Sequence, residues 1–248
     1  MALKKEKAME AFVRTALLIG EKNLEKLSHA HVAVFGIGGV GSFACEGLVR
    51  SGIGHFDLID DDVIGESNLN RQIIATTETL HQKKVDAMKA RILSINPEAE
   101  VNVYPVFVND ETISLFDFAR YDYVVDAVDT LSAKLLLVEK CQASGTPILS
   151  SMGTGNKTDP TRFQVADIFS TSVCPLARRM RNALRKRNID SLKVVYSQEE
   201  PLRPERELRD ERNPKRIVPA SIAFVPSVAG LILSGEVVRD LIGKEERR

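Results

Sequence analysis

The chain has 248 residues, 44% of them apolar, and its 34 Lys+Arg balance 34 Asp+Glu to a formal net charge of zero at pH 7. This length fits one large α/β unit with a small appendage, and the apolar content suits a packed globular core. Balanced charge excludes nucleic-acid binding through bulk charge, so any such site must come from local clustering.

In chain order, "MALKKEKAMEAFVRT" lacks an apolar run of signal-peptide length. Three scattered cysteines predict reduced thiols and a cytoplasmic protein. Residues 14 to 30 read as one helix. Val32 to Phe35 is a short apolar run ending in glycines, as a buried parallel strand does. Ser42 to Ser51 reads as a helix closed by Gly52 and Gly54. "HFDLID" is a second strand, with Asp60 at its carboxyl end. Residues 79 to 95 have apolar residues at helical spacing and stop before Asn96-Pro97. "AEVNVYPV" and "YDYVVDAVD" are a third and a fourth strand, followed by a helix over 131 to 144 and a fifth strand, "TPILSSM".

Strands alternating with helices predict an α/β fold with a doubly wound, mostly parallel sheet. Within a single domain, residues 14–152 form a Rossmann-like nucleotide-binding half, and 153–248 a smaller mixed part. Past residue 155 the rhythm breaks. "RFQVADIFST" and "LKVVYS" read as strands flanking a helix at 175 to 187, and residues 198–216 as a charged, proline-broken loop. "IVPASIAFVPSVAGLILSGEVV" is nearly long enough to span a membrane. Pro219, Pro226 and several Ser and Gly residues instead predict a buried strand and helix.

The loop Gly36-Ile-Gly-Gly-Val-Gly41, between a strand and a helix, has the glycine spacing that lets phosphates approach a helix N-terminus. Gly36, Gly38, Gly39 and Gly41 are its glycines. Asp60 can take a ribose hydroxyl of either a dinucleotide or ATP. Asp62, Asn68, Asn70, Arg71 and Gln72 follow the second strand, and Lys84 starts the next helix. Arg71 and Lys84 there could neutralise a triphosphate, where a nicotinamide cofactor leaves them little to do. Asp129 ends the fourth strand at the same edge, where a carboxylate could hold Mg²⁺. Singly, each charge reads equally well as a surface residue at a loop end. Jointly, at the ligand-binding edge of an α/β sheet, they predict ATP with Mg²⁺.

"GIGGVG", the aspartate ending strand two, "SNLNRQ", Lys84 and "DAVDT" occur in order and resemble the ThiF/MoeB/HesA superfamily, the ubiquitin-activating-like adenylyltransferases. The match runs from about Arg14 to Met152. It implies a homodimer that binds ATP with Mg²⁺ and adenylates a carboxylate. Arg14, Arg71, Lys84 and Asp129 would be catalytic, with Asp129 on the metal and Asp60 on the ribose. Gly36, Gly38, Gly39, Gly41, Asp62, Asn68 and Gln72 would complete the ATP site. Arg14, in "RTALLIG", would reach the active site of the other subunit.

Sulfur-carrier activators of this superfamily usually carry two Cys-x-x-Cys pairs. Cys45, Cys141 and Cys174 form no such pair, which excludes a tetrahedral zinc site of that kind. Cys45 and Cys141 fall inside helices and read as core. Cys174, at a loop-to-helix junction, is the one cysteine placed for a chemical role, although burial is the commoner fate of a free thiol. After Gly153, "GTGNKTDPTRFQVADIFSTSVCPLARRMRNALRKR", "LKVVYSQEEPLRP" and "FVPSVAGLILSGEVV" are similar to the tRNA threonylcarbamoyladenosine dehydratases. Some of these have a cysteine just before the last segment. This chain reads "RIVPASIAF" there, so thiol catalysis by that residue is not open to it.

That resemblance implies ATP-dependent dehydration of a modified adenosine in tRNA. The alternative is activation of the C-terminal glycine of a ubiquitin-like sulfur carrier, with a sulfur-acceptor protein as partner. A nicotinamide-dependent oxidoreductase is disfavoured by Arg71 and Lys84, and a non-catalytic module by the filled phosphate and metal positions. For tRNA, Arg178, Arg181 and Arg185 recur at helical steps and share a face beside an apolar stripe of Ala177, Met180 and Leu184. They could lie along phosphates; a merely solvated face is the competing reading.

Overall fold

The computed structural model describes residues 10–209 and 217–243. The helix expected over 14–30 is two, α1 (Val13–Ile19) and α2 (Glu21–His29), separated at Gly20 with φ +85°. That left-handed backbone is nearly free for glycine and strained for other residues, so the helix ends there. No residue of α1 is buried, and Leu17 and Leu18 are 83% and 85% exposed.

There follow β1 (His31–Phe35), α3 (Gly41–Arg50), β2 (His55–Ile59), α4 (Lys84–Ile95), β3 (Glu100–Tyr104), β4 (Tyr123–Asp126), α5 (Leu131–Ser144) and β5 (Ile148–Ser151). The second part supplies β6 (Phe163–Asp167), α6 (Pro175–Arg185), β7 (Lys193–Ser197), β8 (Leu208–Arg209), β9 (Ile217–Val218) and α7 (Phe224–Ile242). Seven strands form one sheet in the order β3-β2-β1-β4-β5-β7-β6. All neighbours are parallel except β6, which runs antiparallel to β7. The α/β, mostly parallel sheet is therefore as the sequence indicated, and the mixed second part extends it.

Several boundaries differ from expectation. The fourth strand ends at Asp126, so Asp129, expected at its carboxyl end, stands on the loop beyond it, and the buried strand expected around 217 is the two-residue β9, exposed at Ile217. The helix foreseen from residue 79 begins only at Lys84, because 79–83 is a turn tied back to the chain after β2. His81 N–H donates to the Ile64 carbonyl, and Ile64 N–H to the Gln82 carbonyl. α6 stops at Arg185 because Asn188, at φ +56°, turns the chain and lets Ile189 N–H bond to the Leu184 carbonyl. Of the charged loop expected over 198–216, residues 210–216 lie outside the described residues. Its flanks, β8 and β9, pair as a small antiparallel ribbon.

Alternation along β1 shows how the layers form. Val32 and Val34 face a core built with α3, α4 and α7, whereas Ala33 and Phe35 face one built with α5. A third cluster joins α5, α6 and β7. With both faces covered, the central strands are largely apolar, and the buried polar side chains they do carry, among them Asp57, Asp126 and Ser150, are hydrogen-bonded. α7 packs along α3 and returns the end of the described chain to the nucleotide half. Among the described residues, no helix is long and apolar enough to cross a membrane.

Candidate nucleotide-binding site

β1, β2 and β4 lie side by side and end together, with Phe35 opposite both Ile59 and Asp126. Their carboxyl ends carry the glycine loop, Asp60 and the 127–130 loop. Two glycines are demanded by this packing. Gly36, at φ +89°, lies so close to β4 that a Cβ would stand 2.7 Å from the Ala127 carbonyl oxygen. A Cβ on Gly41 would stand 1.8 Å from the Gly36 oxygen. Gly39 is tight in another way, its Cβ position being 3.2 Å from Pro226 and 3.4 Å from Arg71 Cγ. Gly38 is open. Its nearest neighbour would be Gln72 Nε2, at 3.9 Å. Fold packing thus explains Gly36 and Gly41; at Gly39 a side-chain neighbour would have to give by a few tenths of an ångström, and Gly38 leaves open space at the N-terminus of α3, where an anion can approach.

Asp60 shapes this loop. It accepts from Ile37 N–H at 2.7 Å and Asp62 N–H at 2.9 Å, one bond to each oxygen. Burial pushes its pKa up, against the pull of Lys84 and those two N–H bonds. Each oxygen keeps a lone pair for a hydroxyl. Lys84 reaches the same point because 60–64 is stapled to 81–84, with Lys84 N–H on the Asp62 carbonyl. Its buried ammonium donates to Asp62 Oδ2 at 2.8 Å and lies 3.9 Å from Asp60 Oδ1.

"SNLNRQ" folds as a short 3₁₀ turn whose geometry Asn68 sets. Its side-chain oxygen accepts from Gly65 N–H, and its carbonyl from Arg71 N–H and Gln72 N–H. That aims Arg71 and Gln72 at the glycine loop. Arg71 Nη1 donates to the Ser67 carbonyl at 2.7 Å and to Asn70 Oδ1 at 3.0 Å, and burial lowers its pKa. Gln72 is 5% exposed, and its Oε1 has no hydrogen-bond partner among the described residues. An orphaned buried amide oxygen beside the open glycine is what a polar ligand would satisfy.

Asp129 stands exposed on the loop after β4, with Thr130 Oγ1 donating to it at 3.3 Å. The tight approach of Gly36 to Ala127 and Val128 fixes this loop beside the glycines. The structure thus brings Asp60, Asp62, Asn68, Arg71, Gln72, Lys84, Asp129 and the four glycines to one edge. Arg14, exposed on α1, is no part of this cluster within one chain.

Two features escaped sequence reasoning. Asp126 and Lys134 form an ion pair beneath the 127–130 loop with both side chains fully buried. The other is the stretch 219–226, a strap across the edge. Asn70 Nδ2 donates to the Ser221 carbonyl, and Asn156 exchanges two 2.7 Å bonds with Ala220. Aspartate at a strand end and asparagine at φ +59° are visible signals only in hindsight.

On α6 the apolar stripe of Ala177, Met180 and Leu184 is buried as expected. Arg178 is exposed; Arg181 is tied to Thr171 Oγ1, and Arg185 sits over the Phe169 ring at 5.3 Å. The three are therefore unequal: Arg178 and Arg185 are exposed and Arg181 is half-buried. All three cysteines are buried, Cys174 at the N-cap of α6, and burial pushes the Cys45 and Cys141 thiols far above their ordinary range.

The ThiF family model matches residues 12–248. A tRNA threonylcarbamoyladenosine dehydratase of Bacillus subtilis is 46% identical over 242 residues, covering 94% of this chain and 95% of that protein. The Escherichia coli protein of the same name is 40% identical over 176 residues, covering 71% and 66%. A solved structure of the E. coli tRNA N6-threonylcarbamoyladenosine dehydratase in complex with ATP aligns with a TM-score of 0.86 at 32% identity, covering 97% of each chain. The adenylyltransferase and sulfurtransferase of Ogataea parapolymorpha is 32% identical over 162 residues, covering 64% of this chain and 40% of that protein.

Proposed function

The chain belongs to the ThiF family, and from that premise we propose that it is an ATP-dependent tRNA threonylcarbamoyladenosine dehydratase, converting N6-threonylcarbamoyladenosine in tRNA to its cyclic form. The observation that carries this reading is the gathering of Arg71, Lys84, Asp60 and the orphaned Gln72 amide around the glycine loop. The near full-length match to a dehydratase supplies the substrate.

The chemistry follows from the substrate. An oxygen of the threonine carboxylate attacks the α-phosphorus of ATP, the bond to the β-phosphate breaks, and pyrophosphate leaves. Arg71 and Lys84 hold the phosphate oxygens as charge develops, in positions set before the nucleotide arrives. The neighbouring carbamoyl group then attacks the activated acyl carbon. AMP leaves with the carboxylate oxygen, the carbamoyl proton is lost, and the net change is loss of water. Intramolecular attack has a high effective molarity, so no covalent enzyme intermediate is needed. Buried Cys174 takes no part.

Mg²⁺ fits this site on a single carboxylate. Among the described residues no group of three or more His, Cys, Asp or Glu could hold a metal. Mg²⁺ is commonly held by one or two carboxylates, waters and substrate phosphates, and Asp129 is an exposed carboxylate beside the glycine loop. When bound, the ion supplies charge neutralisation on the phosphates.

Arg178, Arg181 and Arg185 would line the tRNA path, residues 153–248 forming the RNA-facing part of a single domain. α1, apolar and exposed, would dock on a second copy and carry Arg14 to the site there, making a homodimer with two-fold related sites. The reduced cysteines suit the cytoplasm.

The test is incubation with ATP, Mg²⁺ and unfractionated tRNA, followed by mass spectrometry of the nucleosides. Conversion of the threonylcarbamoyl nucleoside to a product one water lighter is expected. ATP–pyrophosphate exchange seen only with a ubiquitin-like carrier protein would replace this reading with the sulfur-carrier one.

A further inference from the structure

We infer that Lys134 is a positioning residue. Its buried ammonium, clamped on Asp126, holds the 127–130 loop, and with it Asp129, against the glycine loop. Lys134 lies in the first turns of α5, eight residues beyond Asp126 at the end of β4. Nζ donates to both Asp126 oxygens at 3.0 Å and to the Ser151 carbonyl on β5 at 2.7 Å. All three ammonium donors are therefore placed. Asp126 also accepts from Ser150 Oγ at 2.7 Å and from Val128 N–H at 3.2 Å.

This arrangement is a clasp across the base of a short loop. One end is the strand terminus, the other the helix start, where Lys134 N–H also bonds to the Thr130 carbonyl. Inside it, Ala127 N–H bonds to the Phe35 carbonyl, and Gly36 is wedged against Ala127 and Val128 with no room for a Cβ. A displaced 127–130 loop must therefore move against the glycine loop as well as carry Asp129 away.

Packing alone does not call for charge here. A fully buried ion pair is often no more stable than apolar residues of similar volume, and can be less so. What the pair adds is geometry, because a carboxylate that binds an ammonium, a hydroxyl and an N–H at once has one orientation. Partners behind a ligand commonly change metal affinity or activity by about 10- to 100-fold when removed.

The inference rests on the reading of Asp129 as the residue that serves metal and phosphates. Two measurements test it. Amide exchange of Ala127 and Val128 in the nucleotide-free wild-type protein should be slow; exchange at the rate of an open loop would overturn the clasp. The double variant Lys134→Met, Asp126→Asn removes both charges while keeping shape and an acceptor for Val128. It should melt near the wild type, exchange those amides faster, and lose about 10- to 100-fold in Mg²⁺-dependent ATP affinity by calorimetry. Wild-type affinity in the folded double variant would refute the inference. If the double variant does not fold, the wild-type exchange decides. Asp129→Ala run alongside separates the two claims: unchanged ATP affinity there ends the Asp129 reading and leaves the clasp to be judged by exchange.

Discussion

The open glycine offers a test in which stability and binding should part. At Gly38 an added Cβ would meet nothing nearer than Gln72 Nε2 at 3.9 Å, and its φ is not left-handed. Gly38→Ala should therefore leave the free protein as stable as before or raise it by about 0.4–1 kcal/mol, by restricting the unfolded chain. The added methyl would occupy the space beside the α3 N-terminus into which phosphate must come. For the wild type, ATP at 100 times its Kd adds about 2.7 kcal/mol. In a chain of this size that raises Tm by about 5–10 °C. We expect Gly38→Ala to lose most of that ligand shift while its ligand-free Tm holds. Gly41→Ala should do the reverse of holding. A Cβ 1.8 Å from the Gly36 oxygen cannot be accommodated without moving backbone, so it should cost at least the upper end of the roughly 1–3 kcal/mol typical of overpacking. Scanning calorimetry of both variants with and without Mg·ATP reads all four numbers. A Gly38→Ala protein with the full ATP shift would show that phosphate does not pass there.

Arg71→Ala should keep the fold and lose about 10²- to 10³-fold in AMP formation, the usual effect of one charge-stabilising donor; near-normal turnover would remove Arg71 from the site. Mixing Arg14→Ala with Asp129→Ala protein should restore up to about a quarter of wild-type activity, since about half the dimers are mixed and each then has one intact site. No recovery after confirmed subunit exchange would place Arg14 in its own subunit's site or outside both. Replacing Arg178, Arg181 and Arg185 by Ala should leave ATP affinity unchanged and flatten the salt dependence of tRNA binding by roughly 0.7–0.9 log units per lost phosphate contact; an unchanged slope would make α6 a solvated face. Asp57 tests the pH response. Burial raises its pKa, but bonds from His31, Asn102 and Tyr121 outweigh this and hold it below the ordinary range. Its contribution to stability should be present above the unfolded aspartate pKa of about 3.9 and be lost as pH falls through the depressed folded value. Asp57→Asn should flatten that acid limb of the Tm–pH curve.

What could be read from the chain follows the range of the forces involved. The glycine loop was legible because it is a local backbone requirement, and so were Ala177, Met180 and Leu184, whose spacing alone puts them on one helix face. Asp60, Arg71 and Lys84 were legible only jointly, since each charge taken singly fits a surface. The break at Gly20 was missed because one glycine within an apolar periodicity looks like a tolerated residue. Lys134 was missed for a different reason. In sequence it is one lysine in an ordinary helix, and only the parallel pairing of β4 with β5 brings Ser150 and the Ser151 carbonyl to it. Arg181 shows the same limit, because its partner Thr171 lies on another segment and makes unequal a face that the sequence shows as uniform.

The strap at 219–226 ties the second part of the chain to the glycine-loop edge. Arg71 shares Asn70 with the Ser221 carbonyl, and Asn156 binds Ala220 through both of that residue's backbone polar groups. Pro226, near the start of α7, lies beside the glycine loop, 3.2 Å from where a Cβ on Gly39 would stand. Asn70 and the segment beyond β5 are therefore joined by a single run of backbone. A change in the second part that shifts the strap must move Asn70, and so the orientation of Arg71. The position of the strap and the orientation of Arg71 are coupled through these hydrogen bonds. Grafting residues 153–248 onto another member's first half should accordingly fail to transfer activity unless Asn70 travels with them, and restoring Asn70 in such a chimera should recover ATP-dependent product. Full activity in a chimera lacking Asn70 would show that the strap is only a cover.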